Sequence, residues 1–209
     1  MSNSNGQPDP CNIIVSGVGG QGNVLASRLI GRAMVKFDYH VSIGETYGAS
    51  QRGGTVMSHV RFSSKHAYGP LIPKGRANTV IGLEPMETLR ILKDYGNPDV
   101  SVIVNTRPIT PVSVNLGQGR YPDADELKDA IGQLSKRSWL IPATEIALEI
   151  GTPVVANVVL LGTLVGAGLI PITPGDFEQV LRDNVPERRL DRNLEAFTKG
   201  IEGVQTYVA

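Results

Sequence analysis

The sequence predicts an α/β fold: an open, mostly parallel sheet with helices on both faces, Rossmann-like, with a helical C-terminal part. Three observations predict it. Short apolar runs alternate with helix-length amphipathic segments, the pattern of strand–helix–strand units. The first run, NIIVS, ends in a glycine-rich turn that opens a helix. Beyond residue 141 the remaining segments are mostly helical in character. Residues 1–10 read as a flexible leader, and residues 11–209 as a single α/β domain with no repeat or linker inside it.

The elements follow in order. Residues 12–16 form a short buried strand. Residues 21–37 form a helix in which Leu25, Leu29, Ala33 and Phe37 recur at every fourth position, with Ile30 and Met34 widening the stripe. Residues 39–45 are a second strand, and residues 44–54 (GETYGASQRGG) are too polar to make their own core. Residues 56–62 alternate, with Val56, Ser58, Val60 and Phe62 on one face and Met57, His59 and Arg61 on the other. That pattern predicts a strand with one drier side. A loop or hairpin over 63–75 leads to a strand at 78–83. A helix at 84–95 follows, with Pro85 in its first turn, where a missing N–H costs nothing. Residues 99–105 are another buried strand, and 106–122 are irregular. Residues 123–136 are a helix with acids first and bases last, matching the helix dipole. A short strand at 139–141 precedes helices at 144–150, 154–165, 174–184 and 186–203.

Composition excludes several classes. Lys plus Arg and Asp plus Glu number 20 each, a formal net charge of zero. That balance lacks the basic surplus that neutralises nucleic-acid phosphates or attaches a protein to an anionic membrane, so neither partner is expected. A hydrophobic fraction of 41% is too high for a disordered chain. The single cysteine, Cys11, forms no internal disulfide and cannot supply the thiolate set of a zinc site or an iron–sulfur cluster. His40, His59 and His66 show no HxxxH spacing, so no metal site is expected. The first ten residues lack the basic and apolar regions of a secretory signal. The longest apolar stretch, 153–170, is interrupted by Asn157, Thr163 and glycines. It reads as a buried helix pair or a helix and loop, not a membrane span. A cytoplasmic globular protein is the expectation.

Two segments are suited to ligand chemistry. In Gly17-Val18-Gly19-Gly20-Gln21-Gly22, glycines let the backbone turn sharply and approach a ligand, and the helix behind presents unpaired N–H groups to an anion. The alternative is that these glycines only permit close strand–helix packing. A dinucleotide site also needs an acid at the end of the second strand to hold the ribose hydroxyls; Glu45 is placed about there, and Asp38 fits worse. The second segment follows directly. Arg52, next to Gly53 and Gly54, carries a fork suited to carboxylate or phosphate, Gln51 an amide, and Tyr47 an aromatic face with a hydroxyl. A solvated surface loop is the alternative. By parallel-sheet logic this segment leaves the carboxyl end of the second strand and lies beside the glycine turn. Asn157 reads as a satisfied core amide or a partner of a neighbouring loop, His59 as a packed histidine, and Cys11 as a small buried hydrophobe. Arg188 and Arg189 begin a helix, where the dipole disfavours cations; a solvated face or a partner's acids would explain them. No residue is a convincing nucleophile or general base, so no catalytic residue is assigned.

The motifs GVGGQG, ETYGASQRGGTVMSHVR, LEPMETLR, NTRPITP, GRYPDADE, NVVLLG and NLEAFTKG, in this order, resemble the gamma-type subunit or domain of 2-oxoacid:ferredoxin oxidoreductases. Within that family the chain is most similar to the beta subunits of the indolepyruvate branch. The resemblance spans about residues 11–203. It implies one subunit of a heteromeric enzyme that decarboxylates a 2-oxoacid oxidatively to an acyl-CoA and passes the electrons to ferredoxin. Thiamine diphosphate, magnesium and iron–sulfur clusters are implied for a larger alpha-type partner subunit. This chain would bind none of them alone and would help position CoA or close the active site. The residues to which that role falls are Gly17, Gly19, Gly20, Gln21, Gly22, Glu45, Tyr47, Gln51, Arg52, Gly53 and Gly54. Read from GVGGQG and Glu45 alone, the chain is instead a free-standing dinucleotide-binding oxidoreductase. A purely structural interaction subunit is the third reading.

Overall fold

The computed structural model describes residues 8–46, 55–110 and 120–208. One six-stranded sheet organises them: β1 (Cys11–Val18), β2 (His40–Thr46), β3 (Thr55–Ser63), β4 (Thr79–Gly82), β5 (Ser101–Asn105) and β6 (Arg137–Ile141), in the order β2-β3-β1-β4-β5-β6. β1, β4, β5 and β6 pair in parallel. β3 runs antiparallel to both β1 and β2, so β2 keeps the direction of β1. The sheet is thus mostly parallel, with β3 as the one reversed strand among the described residues.

Helices cover both faces. α1 (Asn23–Lys36), α4 (Ala143–Glu149), α5 (Ala156–Gly166), α6 (Pro174–Asn184) and α7 (Glu187–Thr206) pack on one side. α2 (Pro85–Tyr95) and α3 (Ala124–Gln133) pack on the other. Successive residues of β1 feed the two cores alternately: Ile13 and Val15 join the first, Ile14 the second. α5 is the central helix of the first core. All of residues 157–165 are buried, which explains why its sequence shows no amphipathic stripe. The apolar stretch read as a helix pair or helix and loop is a single turn of 3-10 helix, Pro153–Val155, then α5 and a turn. Among the described residues no helix is long and apolar enough to cross a membrane.

Three expectations shift in detail. In α1 the buried apolar side chains are Ala26, Leu29, Ile30, Ala33 and Met34, whereas Leu25 and Phe37 are 43% and 37% exposed. A strict four-residue repeat drifts by about 40° per step around a helix of 3.6 residues per turn, so its ends leave the core. β3 has no single drier side: Val60 and Phe62 enter the first core, while Met57 packs against the second and His59 is buried. As an interior strand it is covered on both faces. α3 ends at Gln133, before the bases. Lys136 instead meets Asp99, and Arg137 opens β6 over the Trp139 ring. Its start carries the expected acids, and the structure shows Asp123 and Glu126 forming a reciprocal capping box. Cys11 is a buried hydrophobe whose thiol is pushed up to about 12 by burial, with a smaller effect of Asp9.

His59 accepts the Ile72 N–H on Nδ1 at 3.3 Å and meets the Tyr95 ring edge-on. Burial, helped by Arg61, holds its imidazole below the usual histidine value, so the fold favours the neutral ring. The unfolded chain therefore takes up this proton at a higher pH than the native one. Stability is full above the unfolded value, about 6.5, and declines as pH falls from there through the lower folded value. Thermal unfolding followed between pH 7 and pH 5 should show this loss, and His59→Gln should flatten it. An equal pH slope in wild type and variant would remove His59 as its source.

Candidate functional site

The crossovers reverse direction between β1 and β4. From β1 the chain passes through α1 to β2 on one side; from β4 it passes through α2 to β5 on the other. Ligands of open α/β sheets bind in the crevice that this reversal leaves at the carboxyl ends of the strands. Here that crevice is a cleft of about 370 Å³, lined by Gly20–Gly22 after β1, Leu83 after β4, Asn105, Arg107 and Ile109 at and after β5, and Thr144 after β6. Leu25, Val154 and Leu160 make its apolar wall, and Asn157 enters from α5.

The glycine turn divides into packing and open positions. At Gly17 an added Cβ would lie 2.6 Å from Gln21 Oε1 and 2.8 Å from Leu83 Cβ, so this glycine serves close packing. Gly19 lies in the turn itself. Gly20 has φ +102° and open space around its would-be Cβ: its backbone demands glycine, and its surroundings leave room for a ligand. Gly22, at φ 92°, caps α1 without a side-chain cap bond, so the first N–H groups of α1 gain no partner from it. Gln21 holds the turn with both ends of its amide. Its Oε1 accepts the Val18 N–H at 2.7 Å and its Nε2 donates to Leu83 O at 2.9 Å, which ties the turn to the end of β4.

Glu45 lies half-buried near the end of β2, opposite Ser58 of β3. A ribose-holding acid belongs on the strand next to β1, and that neighbour is β3. Glu45 stands two strands away, roughly 10 Å at the usual spacing between strands, so the glycine turn and Glu45 do not form the dinucleotide arrangement. Tyr47, Gln51, Arg52, Gly53 and Gly54 lie outside the described residues. The strands on either side of them end beside the glycine turn. Thr46 pairs with Met57, Gly17 with Val56 and Val18 with Thr55, so these ends share one sheet edge.

Sequence reasoning missed Asn105, Arg107 and Thr144. Asn105 donates from Nδ2 to Leu83 O at 3.2 Å and to Thr144 Oγ1 at 2.9 Å, and accepts the Thr144 N–H on Oδ1 at 3.2 Å. It fixes the cleft floor across three strand ends. Arg107 is half exposed and pairs loosely with Glu145 at 3.2 Å, which leaves its fork available to an anion. Their position just after an apolar strand was the signal that could have found them. Asn157 donates from Nδ2 to Gly22 O at 3.4 Å, while its buried Oδ1 has no partner among the described residues. It meets the neighbouring loop as expected but is not a fully satisfied amide. Glu84 sits behind the cleft with 1% of its surface exposed. It caps α2 by accepting the Glu87 N–H at 2.8 Å, and its other oxygen accepts the Tyr121 hydroxyl and the Ile109 N–H.

These features define a doubly wound, Rossmann-like α/β protein with its open cleft and glycine turn at the switch point of the sheet. The chain belongs to the pyruvate ferredoxin/flavodoxin oxidoreductase family, whose model matches residues 12–203. It is 36% identical over 195 residues to an indolepyruvate oxidoreductase subunit IorB of Thermococcus kodakarensis, covering 93% of this chain and 96% of that one. The subunit of the same name from Archaeoglobus fulgidus is 40% identical over 189 residues, covering 90% and 92%. Among solved structures, the 2-oxoglutarate:ferredoxin oxidoreductase of Magnetococcus marinus, with 2-oxoglutarate, coenzyme A and succinyl-CoA bound, superposes with a TM-score of 0.73 at 25% identity. The match covers 96% of this chain and 32% of that longer one, so this chain corresponds to about a third of it. The keto/oxoacid ferredoxin oxidoreductase gamma subunit of Geobacter sulfurreducens shares the fold end to end, with a TM-score of 0.67 at 22% identity and coverage of 94% and 99%. The family that the motifs resemble is therefore the family found.

Proposed function

We propose that this chain is the small, gamma-type subunit of a heteromeric 2-oxoacid:ferredoxin oxidoreductase acting on an aryl pyruvate such as indolepyruvate. The overall change is oxidative: 2-oxoacid, CoA and two oxidised ferredoxins become acyl-CoA, CO₂, two reduced ferredoxins and a proton. Thiamine diphosphate with magnesium would supply the electron sink for decarboxylation, and iron–sulfur clusters the path for single electrons. The single thiol, buried in the core and pushed up to about 12, does not fit an iron–sulfur cluster. All three groups would reside in a larger alpha-type partner, in keeping with a chain that matches whole small subunits and a third of a longer chain. A reducing cytoplasm suits such a complex.

The observation that carries this chain's own role is the switch-point cleft. Its volume lies near the low end of small-ligand pockets, roughly 300–1,000 Å³, and its mixed wall suits the pantetheine arm of CoA better than a whole nucleotide. Leu25, Ile109 and Val154 would pack its alkyl parts, Gly20 leaves room for close approach, and Arg107 would balance negative charge. Glu45, Tyr47, Gln51, Arg52, Gly53 and Gly54, joining strand ends at the same edge, would close over that ligand and over the mouth of the partner's active site.

Co-expression with the larger subunit tests the reading. Arg107→Ala and Arg52→Ala should each raise the KM for CoA by about tenfold, the loss of one charged hydrogen-bonding group, with kcat and co-purification unchanged. The isolated chain should turn over no oxoacid. Loss of co-purification at unchanged KM would establish the interface role instead. Saturable binding of NAD(H) or FAD by the isolated chain would favour the dinucleotide oxidoreductase.

A further inference from the structure

The two edges of the sheet are treated differently. At β6 the chain covers its own edge: the Leu140 N–H donates to Tyr207 O at 3.1 Å, and Trp139 pairs with Val208 in an antiparallel bridge. β2 is the other edge. Among the described residues β3 is its sole strand partner, so every second residue of β2 turns its N–H and C=O to the open side. Its sequence, HVSIGET, holds no proline or lysine of the kind that blunts an exposed edge. One face of β2 is closed, because Ser42 Oγ donates to Tyr68 O at 2.6 Å and Gly44 lies against Pro70.

The other face opens on a groove of about 610 Å³ between β2 and α1. Its floor is apolar. Val41 and Ile43 lie against Gly31, where an added Cβ would come within 2.7 Å of Ile43 Cδ1, and Val35, 59% exposed, stands beside them. Its wall is basic. Arg28, Arg32 and Lys36 follow one another at four-residue intervals along α1, about 6 Å apart along the helix axis. Lys36 is matched by Asp183 at 2.9 Å. Arg32 meets the neutral amide of Asn184, and Arg28 has no partner among the described residues. Two guanidinium groups thus lie beside an unpaired strand edge, with no carboxylate among the described residues to balance them.

We infer that the open edge of β2 and the basic stripe of α1 together dock an acidic, extended segment of the larger subunit, which adds a strand beside β2. The backbone of that segment pairs with the outward N–H and C=O groups of β2. Side chains on one face of a strand repeat about every 6.6 Å, close to the spacing of the stripe. Carboxylates at alternate positions therefore meet Arg28 and Arg32, while an apolar side chain on the same face packs against Val35 and Ile43. A second copy of this chain is the wrong occupant. β2 paired with its own counterpart about a two-fold axis normal to the sheet would set Arg28, Arg32 and Lys36 against the same three cations. The inference rests on the reading of the chain as one subunit of a heteromer.

The full chain is titrated onto the immobilised larger subunit as wild type, as Arg28→Glu/Arg32→Glu, as Val35→Asp, and as Lys128→Glu, an exposed charge control on α3 at the opposite face of the sheet. All the substituted side chains are exposed, and matching melting temperatures establish that each variant folds. The double reversal should weaken binding about a hundredfold, Val35→Asp about tenfold, and Lys128→Glu not at all. Raising salt from about 0.1 to 0.5 M should weaken the wild type and barely change the double variant. Hydrogen exchange reads the strand pairing: amides within residues 40–44 should slow when the complex forms. A complex that ignores the charge reversal and leaves those amides fast overturns the inference, while the subunit reading stands. Charge dependence without slowed exchange overturns the added strand. Protection that rises with the concentration of this chain alone makes a second copy the occupant and overturns the inference too. Absence of any complex with the wild type removes the subunit reading and this inference together.

Discussion

Gly200→Ala is expected to lower the melting temperature by roughly 6–12 °C, or to prevent folding. Gly162 of α5 and Gly200 of α7 face each other where the two helices cross. An added Cβ at Gly200 would lie 1.9 Å from Val159 O, and one at Gly162 would lie 2.1 Å from Phe197 O. Both obstacles are backbone, so no rotamer change relieves them and the helices must separate. Separation stretches the bond from Thr163 Oγ1 to Gly200 O, 3.0 Å long, and disturbs Phe197, whose ring stacks on Phe177 at 5.1 Å in the first core. Overpacking costs about 1–3 kcal/mol; with backbone as the obstacle we expect the upper end, about 3 kcal/mol. At roughly 2–4 °C per kcal/mol for a domain of this size, the stated shift follows. Gly132→Ala is the control. It is helical, has nothing within 4 Å of its would-be Cβ, and should gain about 0.5–1 kcal/mol. Equal melting temperatures for wild type and Gly200→Ala would refute the close crossing.

Glu84→Ala should cost about 3 kcal/mol in urea unfolding. It removes the cap of α2, about 1 kcal/mol, and strands the part-buried Tyr121 hydroxyl without its acceptor, about 1–3 kcal/mol. Tyr121→Phe leaves the Glu84 carboxylate its Glu87 and Ile109 N–H donors and should cost less, about 1–2 kcal/mol. A spectroscopic signature accompanies the stability change. Burial, then the bond to Glu84, holds the Tyr121 hydroxyl well above the usual tyrosine range. In an alkaline absorbance titration, Tyr121→Phe should therefore remove a tyrosine that ionises well above the ordinary range. Because Glu84 also accepts the Ile109 N–H and Ile109 lines the cleft, the proposed pantetheine role of the cleft predicts that Glu84→Ala weakens CoA binding as well. A Glu84→Ala chain as stable as wild type would show that the carboxylate holds neither end.

The elements were largely legible because their signals are local. Pro85 opened a helix, acids began another, and the glycine turn sat between a strand and a helix, as neighbouring residues alone required. The glycine turn of the candidate site was legible for the same reason. The roles within it were not. Gln21 read as a ligand contact, and the structure adds bonds from its amide to Val18 and Leu83, the latter 62 residues away, while the residue still lines the cleft. Glu45 looked placed for a ribose until β3 intervened, an insertion that no local pattern announces. Asn105 and Thr144 meet only because β5 and β6 lie side by side.

From sequence alone came the α/β class, the helix-opening glycine turn, the lone buried cysteine and the family resemblance, since periodicity, backbone freedom and motif order are written along the chain. Only the tertiary structure decided the strand order, the switch-point cleft and the contact of Asn157 with a glycine 135 residues distant. These are contacts between segments far apart in the chain. Their geometry depends on how twisted sheet and packed helices close on each other, a property that no single stretch of residues carries.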